Sequence, residues 1–209
     1  LKKDPEIKSK IERALIPGTQ GGPHNHQTAA IAVSLEEAST PAFKKYAHQV
    51  IKNAKIMIVR SSPGKNEALT GKPFCGASGR ILTQMIESIG KKREDVYITN
   101  LVKDRPTDNR DPLPEEIKIY SPFLDRQIKI IQPKIIATLG RYSMAYILEK
   151  FGLLGELKPI SQIHGKVFDT ESSYGKVKII PLYHPAVALY QNSLKSQMFE
   201  DFSLIKNYE

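Results

Sequence analysis

Short runs of β-branched residues alternate with longer stretches of helical periodicity from residue 54 onward. Residues 55–59 are almost continuously apolar, which is typical of a strand buried on both faces of a sheet. Similar runs cover residues 96–100, 134–139 and 177–182, and helical patterns cover residues 79–89, 114–131, 142–151 and a final segment from about residue 193. A proline, Pro122, is expected to interrupt or restart the second of these helices. The alternation predicts an α/β fold, a three-layer αβα sandwich around a central, mainly parallel sheet of four strands.

The first fifty residues differ from the rest of the chain. Ile7, Ile11 and Leu15 are spaced four apart, which predicts a short helix with one apolar stripe. The stretch that follows is too rich in Gly and Pro for regular structure. We therefore divide the chain into an N-terminal helical and loop extension, residues 1–50, that packs on a core domain of residues 51–209.

The amino-acid composition limits which disulfides, metal sites and partners are expected. A single cysteine, Cys75, excludes an internal disulfide framework and any four-cysteine zinc or iron–sulfur site built by this chain alone. We expect no metal, no cofactor, no membrane span and a reducing, cytoplasmic location. The chain has 31 Lys and Arg against 22 Asp and Glu, a net charge of +9. This excess leaves two interpretations open, a polyanionic partner such as nucleic acid or merely a basic surface.

Polar segments follow three of the four predicted strands at the points where those strands end. They are residues 60–76, 99–110 and 183–190. Each segment alone is typical of a turn, a strand-end cap or a loop. Because parallel strands end at the same edge of a sheet, and ligands bind at that edge, the three segments together predict a binding site.

Four ordered segments resemble the motifs of one protein family. Residues 55–82, with the sequence Thr-Gly-Lys-Pro-Phe at their centre, resemble the first motif of the uracil-DNA glycosylase superfamily in its iron–sulfur, thermophile-type (family 4) branch. Residues 96–114 resemble the next conserved segment of that branch, and residues 165–168 and 183–186 continue the match in order. The resemblance implies a DNA glycosylase, which extrudes a nucleotide from the stack and hydrolyses its N-glycosidic bond.

Such a reaction needs a platform for the base, a group that reads its edge and a donor for the leaving anion. Phe74 offers an aromatic face on which a flipped base stacks, worth about 1–3 kcal/mol, although a core position also explains this residue. The amide of Asn100 provides a donor and an acceptor for a pyrimidine edge. His184 provides a hydrogen bond to O2, where negative charge develops. The family resemblance implies the same three roles.

Basic and apolar side chains in the same segments predict the contacts with DNA. Six cations are candidates for phosphate contacts, although a solvated surface charge explains any single one of them. They are Arg60, Lys65, Lys72, Arg105, Arg110 and Lys166. Leu189 and Tyr190 resemble the family's intercalation loop, where a side chain fills the gap left by the flipped nucleotide. We expect a monomeric protein with DNA as its partner.

The first departure from the family concerns the iron–sulfur cluster. That branch holds its cluster with four cysteines, whereas two of the positions are Asp104 and Tyr120 here and the N-terminal pair is absent. Cys75 does not lie at a cluster position. The comparison implies a relative without the cluster, in which the N-terminal segment and Tyr120 take over its stabilising role.

The second departure lies in the first motif. Arg60, Ser61 and Ser62 stand where the branch has Gly-Glu-Ala or Gly-Glu-Gly. Ser62 is our candidate for orienting the attacking water, although a hydroxyl provides no negative charge opposite an oxocarbenium ion. Ser61 and Gly64 are assigned to the base pocket. Gly64 replaces a Tyr that blocks 5-substituted bases in the most uracil-restricted branch, so a 5-substituent is expected to have room there.

Three hypotheses follow. The leading one is a monofunctional DNA glycosylase that leaves an abasic site and acts on a modified pyrimidine, such as the hydroxymethylated or glucosylated cytosines of phage DNA, in antiviral defence. The conventional version removes uracil in base-excision repair. The alternative is a catalytically inactive glycosylase-like module that binds DNA or serves replication. The presence of Phe74, Asn100 and His184 together favours catalysis, whereas the loss of the motif-one Glu favours the inactive module.

Overall fold

The structure is a computed structural model that describes residues 40–41, 55–70 and 73–208. The predicted extension of residues 1–50 lies almost entirely outside this part of the chain, as does Lys72. Those predictions therefore stay predictions, and the account below concerns the core domain.

The central sheet has five strands rather than the predicted four. They are β1 (Ile56–Arg60), β2 (Val96–Asn100), β3 (Ile135–Leu139), β4 (Phe168–Ser172) and β5 (Gly175–Leu182), in the order β2-β1-β3-β5-β4. All pairings are parallel except that between β4 and β5. The missed strand β4 lies at the edge and contains the sequence Phe-Asp-Thr-Glu-Ser, which alternates between half-buried and exposed residues. It therefore lacks the apolar run that identified the other strands.

Helices lie between the strands and after β5. They are α1 (Lys65–Thr70), α2 (Ala77–Ser88), α3 (Pro114–Ile131), α4 (Arg141–Lys150), α5 (Ile160–Ile163), α6 (Val187–Tyr190) and α7 (Lys195–Ser203). The expected interruption near Pro122 was wrong, because α3 is continuous through this residue. Because Pro122 has no backbone N–H, the carbonyl of Lys118 loses its helical hydrogen-bond partner. Both residues are exposed, so water can satisfy that carbonyl.

Two apolar cores lie on opposite faces of the sheet, which confirms the three-layer αβα architecture. Ile56 and Ile58 of β1 point into one core, together with α2 and α7, whereas Met57 and Val59 point into the other, together with α3 and α4. Successive side chains of a strand point to opposite faces, so the unbroken apolar run of β1 serves both cores. Within the described part of the chain, no helix is both long and apolar enough to cross a membrane.

The register of the parallel strands brings the predicted functional segments together. Arg60, the last residue of β1, pairs with Asn100 at the end of β2 and with Leu139 at the end of β3. Leu139 pairs in turn with Leu182, two residues before His184. The carboxyl ends of four strands therefore form one edge, where the candidate site lies.

Candidate active site

The loops after β1 and β2 are bound to each other through their backbones. The N–H of Leu101 donates to the carbonyl of Arg60 over 2.8 Å, and the N–H of Val102 donates to that of Ser61 over 2.8 Å. These bonds continue the parallel ladder beyond the strands. They hold the Ser61 segment beside Asn100.

His184 lies in the loop after β5 with one tautomer favoured. Its Nδ1 accepts a hydrogen bond from the N–H of Ala186 over 3.1 Å, which leaves the proton on Nε2. Burial, reinforced by the positive charge of Arg60 and partly offset by Glu67, lowers the pKa of His184 to about 4. The imidazole is therefore neutral at pH 7 and presents one N–H donor.

Phe74 lies beside His184, with the two ring centres 5.7 Å apart and nearly parallel. Its backbone is in the left-handed region, with a φ of 53°, which is unusual for an aromatic residue. The guanidinium of Arg93 donates to the carbonyls of Pro73 and Phe74, the latter over 3.3 Å. A Cβ atom at position 79 would lie 1.9 Å from the Phe74 carbonyl oxygen, so only Gly79 allows this close approach. The segment is held in a strained conformation that sets the position of the ring.

Asn100 has a buried side-chain oxygen, Oδ1, without a hydrogen-bond partner among the residues described. An unpaired buried acceptor is costly, which is typical of a group that meets a ligand. Lys103 donates to the backbone carbonyl of Asn100 over 2.7 Å and to Thr99 and Gln127 over 3.1 and 2.8 Å. Burial lowers the pKa of Lys103 to about 8. The sequence analysis gave Lys103 no role, yet it fixes the backbone that carries Asn100.

Arg60 is buried at the end of β1 rather than exposed on the surface. Only 6% of the residue is exposed, and its guanidinium carbon is 4.5 Å from the centre of the Phe74 ring. Its Nη1 lies 3.3 Å from Oε1 of Glu67, and its Nε donates to the Ser62 carbonyl over 2.7 Å. The predicted phosphate contact of Arg60 does not agree with this buried position. Glu67, which the sequence analysis missed, brings a carboxylate into the site from α1.

The space expected beside Gly64 is filled. A Cβ atom at this position would lie 2.6 Å from Oε2 of Glu67 and 3.7 Å from Nη2 of Arg60. The atom that fills this space is the end of a flexible side chain, so room for a 5-substituent beside Gly64 stays a prediction. Ser61 and Ser62 are half-buried between the ends of β1 and α1. A cavity of about 360 Å³ is lined by residues that include Pro63, Glu67, Asn100, Lys103 and Gln127.

The other predicted DNA contacts lie at varied depths around this edge. Lys65 and Lys166 are exposed, as are Leu189 and Tyr190, the latter at 85%. Arg105 donates to Asn109 over 2.7 Å. Both terminal nitrogens of Arg110 contact Glu116, over 2.9 and 2.7 Å. Arg110 is therefore already neutralised within the protein.

Asp104 and Tyr120, the residues at two of the family's cluster positions, contact each other. The Tyr120 hydroxyl donates a hydrogen bond to the Asp104 carboxylate, and this bond raises the pKa of Tyr120. It connects the loop after β2 to helix α3. Among the described residues, no group of three or more His, Cys, Asp and Glu side chains is arranged to hold a metal ion.

Comparison with known proteins agrees with this arrangement. Residues 48–204 match the model of the uracil DNA glycosylase superfamily, and the chain belongs to that superfamily. It is a DNA glycosylase, a hydrolase of N-glycosyl bonds. Within the superfamily it is similar to the type-4 uracil-DNA glycosylase of Archaeoglobus fulgidus, with 46% identity over 152 residues, 73% of this chain and 75% of that enzyme. The type-4 uracil-DNA glycosylase of Sulfurisphaera tokodaii is 48% identical over 154 residues, 73% of this chain and 69% of that enzyme.

The N-terminal part of the chain is similar to a different family. Residues 2–66 match the serine hydroxymethyltransferase model, which overlaps the glycosylase match between residues 48 and 66. The serine hydroxymethyltransferase of Prochlorococcus marinus (strain NATL2A) is 38% identical over 99 residues, 43% of this chain and 24% of that enzyme. The sequence analysis did not identify this similarity. Arg60, Ser61 and Ser62, which depart from the glycosylase motif, lie within the overlap.

Proposed function

We propose that this chain removes a pyrimidine base, in the first instance uracil, from DNA and leaves an abasic site. The observation that carries the proposal is the position of the neutral His184, which has its proton on Nε2 and lies beside the Phe74 ring. Relatives named as type-4 uracil-DNA glycosylases support uracil as the base. The conventional role of such an enzyme is base-excision repair.

The proposed reaction uses the site as follows. The extruded base stacks on Phe74, and the side chain of Asn100 pairs with its edge through an acceptor that is otherwise unpaired. The C1′–N1 bond breaks, and the base leaves with the bonding electron pair while Nε2 of His184 donates a hydrogen bond to O2. Water then forms the new C1′–O bond, and the proton that it loses passes through solvent to the base anion, which leaves as the neutral base.

In this proposal, Glu67 provides the carboxylate that stabilises positive charge on the sugar. Ser62 offers a hydroxyl to the attacking water but no charge, whereas the Glu67 side chain is 9% exposed and lies among the same residues. A buried carboxylate stabilises the positive charge that develops on the sugar. Arg60 neutralises Glu67 in the free protein, so the carboxylate becomes effective only when that ion pair loosens.

A modified pyrimidine is the second candidate substrate, with a role in antiviral defence. The cavity of about 360 Å³ beside Asn100 favours it, because polar side chains line the cavity. Lys103, Gln127 and Glu67 offer donors and acceptors to a hydroxymethyl or glycosyl group on the base.

A panel of substrates tests these proposals. The protein is incubated with duplexes that contain one uracil, hydroxymethyluracil or hydroxymethylcytosine, and with glucosylated phage DNA, and alkali then cleaves the abasic sites. We expect cleavage at uracil, and cleavage of the substituted bases if the cavity accepts a substituent. Tight DNA binding without cleavage of any substrate would instead identify an inactive binding module.

A further inference from the structure

The guanidinium of Arg60 covers the aromatic surface on which the proposed function stacks the flipped base. Its carbon lies 4.5 Å from the Phe74 ring centre, at a distance typical of a cation stacked on an aromatic face. Phe74 is only 3% exposed, and it also belongs to the apolar core on one side of the sheet. The platform has no free face for a base while Arg60 stays in this position.

Arg60 is held by partners within the pocket. The side chains of Arg60 and Glu67 expose only 7% and 9% of their surfaces, and their charged atoms are 3.3 Å apart. The Ser62 carbonyl accepts a second bond from Nε. The backbone of Arg60 is fixed in β1, which pairs with β2 on one side and β3 on the other. Rotation of the Arg60 side chain would uncover the part of the Phe74 ring that it covers, and this rotation breaks the ion pair.

We propose that Arg60 is a specificity-determining residue of the base pocket, a displaceable occupant of the Phe74 face that a flipped base must replace. This inference rests on the proposed function, because it assigns the same ring to the base. A base that forms weak contacts with Asn100 and His184 does not compensate for the lost cation–π contact and ion pair, and it is rejected. Removal of the Arg60 side chain is therefore expected to strengthen binding of the flipped base.

A role of Arg60 in stabilising the departing base would predict the opposite effect of removing its side chain. If the positive charge of Arg60 instead stabilised the departing base, removing it would slow excision and would not improve binding. The two roles are separated by measuring base-dependent binding without reaction. A duplex that carries one 2′-fluoro-2′-deoxyuridine serves this purpose, since the fluorine suppresses cleavage of the glycosidic bond, and the same duplex with thymidine measures binding that does not depend on the base.

The experiment compares the ratio of the two dissociation constants in the wild type and in Arg60→Gly. Because the single variant leaves the Glu67 carboxylate buried and unpaired, Arg60→Gly/Glu67→Gln is measured as well. Arg126→Ala, which removes an exposed positive charge on α3, is the matched control. We expect the preference for the fluorinated duplex to rise about tenfold in both Arg60 variants and to stay unchanged in Arg126→Ala.

An unchanged or reduced preference in both Arg60 variants would overturn the inference. Single-turnover excision of deoxyuridine by the wild type separates this failure from failure of the proposed function. If the wild type excises the base and the preference does not rise, only the role of Arg60 is wrong. If the wild type and Arg60→Gly excise no base, the proposed function fails and the inference fails with it.

Discussion

The backbone N–H of Ala186 donates a hydrogen bond to Nδ1 of His184 over 3.1 Å. This contact leaves Nε2 as the donor of a neutral imidazole. In the proposed reaction this neutral N–H donates to the oxygen on which the departing base acquires negative charge. The tautomer therefore links the local geometry of the His184 loop to the proposed chemistry.

Replacing His184 is expected to separate catalysis from binding. His184→Ala removes the donor, so we expect the single-turnover rate of excision to fall by about 10²–10³ while the affinity for DNA changes little. His184→Gln retains an N–H donor and should recover part of the rate. An unchanged rate in His184→Ala would show that another group stabilises the leaving base.

The pH dependence of stability tests the environment of His184. Burial and the charge of Arg60 lower its pKa to about 4 in the folded protein, whereas an unfolded histidine titrates at about 6.5. Between these values the unfolded state binds more protons, so this residue makes the free energy of unfolding fall as the pH drops from about 6.5 to 4. Denaturant unfolding should therefore show a steeper fall for the wild type than for His184→Gln across this window. Parallel curves across the window would contradict the lowered pKa.

Arg93 is expected to position Phe74 without contacting the base. Arg93→Ala removes the donors to the Pro73 and Phe74 carbonyls, and a left-handed aromatic residue then relaxes because the conformation costs about 1 kcal/mol or more. We expect weaker binding of the 2′-fluoro-2′-deoxyuridine duplex, by about tenfold, with little change for the thymidine duplex. Arg93→Lys should restore part of this preference. Equal losses for both duplexes would point to a general contact with DNA.

The fold was predicted well in segments where the residue types reflect how buried the segment is. The strands that became β1, β2 and β3 were located within a residue or so. β1 and β3 are buried at every residue and are therefore mostly apolar, whereas β2 is only partly buried and was identified by its β-branched residues. The edge strand β4 was missed because exposure on one face permits a polar sequence. Pro122 misled the analysis because a proline on the exposed face of a helix is tolerated.

The site was predicted less completely than the fold. Strand order alone brings Asn100 and the His184 segment to one edge, and the sequence analysis placed them there. The burial of Arg60 depends on its ion pair with Glu67, which lies on α1 rather than on β1. No sequence pattern marks this pairing. The roles of Lys103 and Arg93 likewise depend on carbonyl groups that are visible only in three dimensions. The similarity of residues 2–66 to serine hydroxymethyltransferase leaves no signature in periodicity or composition.

The hydrogen bond between Tyr120 and Asp104 is expected to contribute to stability. These residues stand at two positions where the relatives' branch has cluster cysteines. The hydroxyl-to-carboxylate bond lies near the surface, so we expect a coupling free energy of only about 0.5 kcal/mol. A double-mutant cycle with Tyr120→Phe and Asp104→Asn, followed by thermal or denaturant unfolding, measures it. Strictly additive effects of the two substitutions would show that the bond contributes nothing to stability.

The most direct test of the account is the identity of the products formed by the wild-type protein. A duplex that contains one deoxyuridine is incubated with excess protein, and mass spectrometry then detects the released base and the mass of the strand. We expect free uracil and an uncleaved strand whose mass corresponds to an abasic site. A strand of unchanged mass with no free base, under conditions where the duplex is fully bound, would contradict it.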